Sequence, residues 1–264
     1  MPFPEAPRIV FRRNPLDQVI CQIRFPPILK IESESPSEFQ DRVRTEFPNF
    51  EETLGAQVGA RLKGIENPPP EFLGQLALLA ARKNYQFSSE DGLWKIHLTR
   101  DFIALTTEKY ERWESFKEKL RIPLDALTSV YDPRYFSRIG LRYIDVIKRS
   151  ALNLENVGWS QLLRAEILGV LASPDVGSRI KSFENKNEIA LSDGESMVRI
   201  LTAFAEAADN KEVCYLIDSD FFKESKTPIQ EALSKLDYFS IRGSRLFQWC
   251  ITQRLYDAME AQLI

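Results

Sequence analysis

The sequence predicts an α+β protein of two pseudo-repeated β-α-β(3–4)-α units, an antiparallel sheet with helices on one face, and three observations lead there. Two stretches with period-two alternation, "DQVICQIRF" and "RIGLRYIDVI", open the two halves as strands. Each is followed by a helical pattern, a close succession of short strands joined by polar turns, and a second helical pattern. At 264 residues and 44% hydrophobic side chains, the chain can fill one large domain or two intimately packed halves.

Taken in order, residues 1–15 read as an irregular, proline-bearing arm. Its "FRRNPL" segment puts adjacent arginines on a mobile terminus, either solvated or in touch with an anionic partner. In the first strand Val19, Cys21, Ile23 and Phe25 alternate with Gln18, Gln22 and Arg24. "PSEFQDRVRTEF" reads as a helix with Ser35 as N-cap, Pro36 in the first helical position and Glu38 at capping-box spacing. Between residues 47 and 75 the pattern is weakest. "TLGAQVGARLKG" is a weak strand, and "ENPPPEF" is a loop, since its prolines fit neither a helix interior nor a central strand. "KNYQFSS", "LWKIHLT" and "FIALTT" then form an antiparallel meander, with a tight turn at "SEDG". "ERWESFKEKLRIPLDALTSVY" closes the unit as helix, with Trp113, Phe116 and Leu120 at helical spacing and Pro123 starting a second segment.

The same order recurs from residue 135. "RIGLRYIDVI" is a strand, "WSQLLRAEILGVLA" a helix, and "SRIKSFE", "NEIALS", "SMVRILTAFAE" and "EVCYLIDSDFF" four strands. Thr227 and Pro228 cap a helical tail that runs to the end of the chain, with Leu246, Phe247, Cys250, Ile251, Leu255 and Met259 among its apolar residues. The expected division is therefore an arm (1–15), a first unit (16–134) and a second unit (135–264). The two units share a pattern without residue-level identity.

Composition narrows the function. No apolar run approaches the length of a membrane span, and the opening residues lack the apolar core of a secretory signal, so a cytoplasmic protein is expected. The three cysteines, Cys21, Cys214 and Cys250, are too scattered for a structural zinc site, and the single histidine, His97, excludes imidazole-rich metal centres. His97 is expected to be solvated or at a sheet edge. A net charge of −3 gives no global attraction to phosphate, and no phosphate-binding glycine motif is present. No cofactor is expected. Trp113, Phe116, Phe247 and Trp249 sit in helical patterns, where core packing explains aromatics better than base stacking does.

The candidate site lies on one face of the central strands. In "RIGLRYIDVI" Arg138, Gly140, Arg142 and Ile144 share one face, and Ile139, Leu141, Tyr143 and Ile147 share the other, which faces the helices. Gly140 leaves room beside the two arginines. Arg24 adds a third guanidinium, and Gln18 and Gln22 extend the polar surface. Asp218 and Asp220 in "YLIDSDFF" are the best carboxylate pair, spaced to share one face near a strand end. Two readings stand open. Either Asp218, Asp220 or Asp145 neutralises the arginines internally, or the arginines form a fork-shaped site for a phosphate or an acidic segment.

At fold level, tandem units of this order resemble the TATA-binding-protein-like or helix-grip class, in which two units join into one curved sheet with long helices outside it. At sequence level, "NPLDQVICQIRFPPILKI", "FQDRVRTEFP", "YQFSSEDGLWKIHLTRDFIALTTEKYERWESF" and "RIGLRYID" look like the recurring blocks of a bacterial family of about this length, sporadically distributed and of unknown function. That resemblance implies a cytoplasmic prokaryotic protein of patchy distribution, as in mobile or phage-defence genes, and brings no catalytic residue. The leading expectation is a non-enzymatic module that recognises a protein partner encoded nearby, as an antitoxin or an accessory subunit of a defence system, through the uncovered sheet face or an exposed edge. The alternative is a sensor or enzyme holding a small anionic ligand, such as a nucleotide, between the halves. DNA binding by the curved sheet is the third and weakest reading.

Overall fold

The computed structural model describes residues 2–54, 65–66 and 83–263. Its centre is made by the two alternating stretches. Strands β2 (Leu16–Arg24) and β7 (Arg138–Ile147) pair antiparallel, with Cys21 opposite Leu141 and Arg24 opposite Arg138. On the β2 side follow β6 (Phe102–Thr107), β5 (Trp94–Leu98), β4 (Lys83–Ser88) and β3 (Asn49–Leu54). On the β7 side follow β10 (Val213–Lys223), β9 (Met197–Glu206) and β8 (Glu184–Ala190). Among the described residues the result is an open nine-stranded sheet in which every neighbouring pair is antiparallel.

Both faces of the central strands are closed. Val19, Cys21, Ile23, Ile139, Leu141, Tyr143, Ile217 and Phe221 point into the main core, beneath helices α3 (Trp113–Tyr131) and α5 (Ala232–Cys250). The opposite face carries its own apolar cluster of Ile20, Ile144, Val146, Leu201, Ala203, Cys214 and Leu216, with Ile65 packed against it and bridged to Ala207. β7 is therefore buried along its whole length, as a strand between two apolar layers must be.

Several expectations are corrected. The first helical segment divides into α1 (Lys30–Ser33) and α2 (Ser37–Val43), and Pro36 occupies the N-cap position without a side-chain cap bond, so the Ser35 capping box does not form. Strand β3 precedes the expected weak strand "TLGAQVGARLKG" and overlaps it only at Thr53 and Leu54; the rest of that segment, and "ENPPPEF" beyond Glu66, fall outside the described residues. Pro123 does not divide its helix. Leu120, Leu124 and Leu127 form a buried stripe around it in one continuous α3, and burial of that stripe offsets the hydrogen bond lost at the proline. His97 is neither solvated nor at an edge: it is 4% exposed on β5, beside Asn84, and burial lowers its pKa to about 4.

In the second half, "WSQLLRAEILGVLA" is no single helix. It breaks into 3₁₀ turns around the four-residue α4 (Ala165–Leu168). The break follows from pairing with the chain after α5. Arg164 N–H donates to the Cys250 carbonyl at 3.0 Å and Thr252 N–H to that of Leu162 at 2.9 Å, which bridges Leu163 to Ile251 and holds Arg164 extended. "SRIKSFE" and "NEIALS" supply one strand, β8, instead of two. The helical tail also stops short of the chain end. α5 ends at Cys250, α6 (Gln253–Ala258) follows, and β11 (Ala261–Leu263) pairs with β1 (Ile9–Phe11).

That last pairing corrects the picture of a mobile arm. Phe3 is buried against Trp249, Phe11 packs edge-on against Phe247 and Tyr256, and Gln248 donates to the Pro7 carbonyl at 3.1 Å. Arg12 and Arg13 both pair with Glu260, at 3.3 and 3.0 Å. The arm is a strap across the helical layer. Trp113 Nε1 and Lys117 Nζ both donate to Asp237, at 2.7 and 2.8 Å, and so tie α3 to α5.

α5 approaches β7 through Gly243, where a Cβ would stand 2.6 Å from Tyr143 Cε2. Alanine is the better helix former by ~1 kcal/mol. Gly243→Ala is nevertheless expected to destabilise the protein by ~1–3 kcal/mol, because the buried Tyr143 ring has to move. Urea denaturation with an unchanged m-value checks this, and a stabilised variant would show that the ring yields freely.

Candidate functional site

All six candidate residues lie on the face of the sheet away from the long helices. β7 and β10 pair with Arg142 opposite Asp220 and Ile144 opposite Asp218, so each arginine reaches diagonally to its acid. Arg142 Nε and Nη2 grip Asp218 in a bidentate pair, at 2.7 and 2.5 Å. Arg138 Nη2 spans both oxygens of Asp220 at 3.0 and 2.8 Å, and its Nε faces Glu224 at 3.3 Å. All four of the main partners are buried. Burial opposes the Arg142 charge, and Asp218 beside it holds the guanidinium above its ordinary value nonetheless.

The room beside Gly140 is occupied by the protein itself. The Arg138 guanidinium lies over it, with Nη1 2.3 Å from where a Cβ would stand. Gln22, opposite Gly140, accepts from Arg24 Nε at 3.3 Å. Arg24 faces Arg138 across the strand pair, and desolvation together with that like charge holds it below its ordinary pKa. Arg199 of β9 extends the row, pairing with Glu188 at 2.7 Å and lying 3.8 Å from Asp220. The face is a ladder of mutually neutralised charges.

A different place has room. Between the strap, the first turn of α3, the middle of α5 and the central strands lies a cavity of about 550 Å³. Leu16, Tyr143, Asp145 and Ser219 line it from the sheet, and Phe11, Trp113 and Phe247 from around it. Asp145 belongs to this face and not to the arginine ladder, because it alternates with Tyr143 and Ile147 along β7. Asp145 is 6% exposed, and among the described residues its carboxyl makes no side-chain hydrogen bond or ion pair. Burial, then the like charges of Asp218 and Asp17, push its pKa up to about 8. Ser219, directly opposite Tyr143 in the strand register, leaves its hydroxyl unpartnered. The Tyr143 hydroxyl, flanked by Tyr110 and Ser240, makes no hydrogen bond of normal geometry.

The cluster of Tyr143, Asp145 and Ser219 is not among the candidate residues that the sequence pattern singles out. A signal was present: Asp145 is a carboxylate at a core-facing position of an otherwise apolar strand face. Among the described residues no His, Cys, Asp and Glu group could hold a metal ion, and no helix is long and apolar enough to cross a membrane. The three cysteines are free and buried, and burial raises the Cys21 and Cys250 thiols.

Two stability effects follow. Arg142→Met leaves Asp218 buried without its fork, and a loss of ~3–5 kcal/mol is expected, most of it recovered when Asp218→Leu is added. A double-mutant cycle in urea measures this, and a loss typical of an exposed pair would show Asp218 satisfied elsewhere. Asp145 holds a proton when folded that it sheds when unfolded, so it makes stability fall as pH rises from about 4 to about 8, by at most ~1.4 kcal/mol per pH unit. Asp145→Asn should raise the melting temperature at pH 8 and leave it nearly unchanged near pH 4. Melting curves that shift equally at both ends would contradict the assignment.

No family model matches the chain, and no curated protein matches it.

Proposed function

We propose that the protein is a non-enzymatic binding module whose site is the cavity over β7 and β10, between α3 and α5, and that it holds one small ligand there. The observation that carries this reading is the convergence of three buried polar side chains on one cavity: Asp145 and Ser219, which have no side-chain hydrogen bond among the described residues, and Tyr143, whose hydroxyl is flanked by Tyr110 and Ser240. A buried polar group left without a partner costs ~1–3 kcal/mol, and a ligand that meets all three removes that cost. The volume falls in the range of small-molecule sites. Binding is favoured over turnover by the placement of the chain's one imidazole, His97, which shares the face of β5 opposite the cavity side.

Within this reading the two halves are pseudo-repeats joined in one curved sheet, of the TATA-binding-protein-like or helix-grip type. Support comes from strand order: in each half the first strand, β2 or β7, stands at the centre, and the last strand of the meander, β6 or β10, lies next to it. The ligand then sits at the junction of the halves, where the sequence placed its small-ligand alternative. Recognition of a protein partner, as an antitoxin or an accessory subunit, draws on the sequence blocks, while the arginine face offered for it is filled by its own ion pairs.

Thermal melting against a panel of nucleotides, organic acids, amines and neutral metabolites tests the proposal. At least one class should raise the melting temperature, since a ligand at ~100 times its Kd adds ~2.7 kcal/mol. A panel with no effect in any class overturns it, and a second chain that co-purifies in fixed ratio and fills the cavity moves the function to protein recognition.

A further inference from the structure

We infer that the cavity takes a primary amine carried on an apolar, aromatic-sized body, its ammonium group received by Asp145, Ser219 and Tyr143; the inference rests on the cavity being a ligand site. Three oxygens converge from two paired strands. Tyr143 and Asp145 are two apart on one face of β7, and Ser219 of β10 stands opposite Tyr143. A primary ammonium has three N–H donors and no acceptor, so each oxygen receives one. A carboxylate among the three makes the set charge-assisted.

The charges around the cavity point the same way. At its mouth Arg8 is held by Glu114 at 2.6 Å, Arg245 faces Glu5 at 3.6 Å, and Arg112 stands exposed with its Nε on Ser115 at 3.3 Å. Asp237 is taken up by Trp113 and Lys117. Among the described residues Asp145 is left at the floor with like charges, Asp218 and Asp17, as its electrostatic neighbours and no cation beside it. An anionic ligand would keep Asp145 protonated and would meet the like charges of Asp218 and Asp17, whereas an ammonium brings a counter-charge and stabilises the carboxylate form. The walls suit the rest of the molecule. Tyr110 and Tyr143 meet edge to face at 5.9 Å, and Trp113, Phe11 and Phe247 add aromatic surface, which favours a cation beside an apolar group.

Isothermal titration of the full chain with phenethylamine, 2-phenylethanol and phenylacetate separates charge from shape, the three probes sharing one ring and differing in the head group. Phenethylamine is expected to bind, and the alcohol and the acid to bind about tenfold or more weakly, the worth of a charged hydrogen bond. Asp145→Asn, close to isosteric, should melt cooperatively and lose amine binding by ~10–100-fold. Equal or tighter binding of the alcohol or the acid, retained amine binding in Asp145→Asn, or no binding by any amine in a series from methylamine to tryptamine overturns the inference. The cavity's role as a ligand site survives each of these results unless the broad panel is also without effect.

Discussion

Strand β7 is apolar, charged and aromatic by turns, yet it is buried on both faces from Arg138 to Ile147. A charge in such a place must be matched or neutralised, because desolvation of a lone ion costs several kcal/mol. On one face the matching is internal. Asp218 and Asp220 arrive from β10 in a register that sets each against an arginine, and the bidentate geometry fills the guanidinium forks. On the other face Asp145 has no such partner, and burial moves its proton affinity instead. One strand thus holds a completed charge network and, on its reverse, an incomplete one.

The incomplete side is framed by elements far apart in sequence. The strap reaches over α5 because β11 offers β1 a pairing edge and Glu260 collects Arg12 and Arg13. Asp237 clasps α3 to α5 at the rim, and Gly243 lets α5 come down onto the Tyr143 ring. Those contacts fix the width of the cavity. Its floor is rigid, since Tyr143, Asp145 and Ser219 project from the most buried strands of the sheet, and a rigid floor holds a binding geometry better than a loop does.

Different parts of this arrangement were legible in different degrees. Alternation placed β2, β4, β5, β6, β7, β9 and β10 close to where they lie, and it assigned Arg138 and Arg142 to one face and Tyr143 to the other. Local signals misled wherever tertiary pairing competed with them. Pro123 reads as a helix boundary, but the buried leucine stripe carries α3 through it. Residues 159–172 have a helical pattern, but bonding to the chain around Cys250 and Thr252 breaks it. His97 looks like a surface residue between Lys95 and Thr99, yet it is buried beside Asn84.

By itself the sequence determined the α+β class, the alternation that makes the central strands, and the facts that one imidazole and three scattered cysteines serve the whole chain. These are properties of composition and of period, and period is fixed by the backbone geometry of a strand or a helix. Only the tertiary structure decided which acid meets which arginine, since a pairing depends on the register between β7 and β10, 66 residues of chain apart at Ile147 and Val213. It alone decided that Asp145 lies with Tyr143 and Ser219 beneath a strap formed by both ends of the chain, because a cavity is a property of surfaces that fail to meet, and no local pattern encodes that.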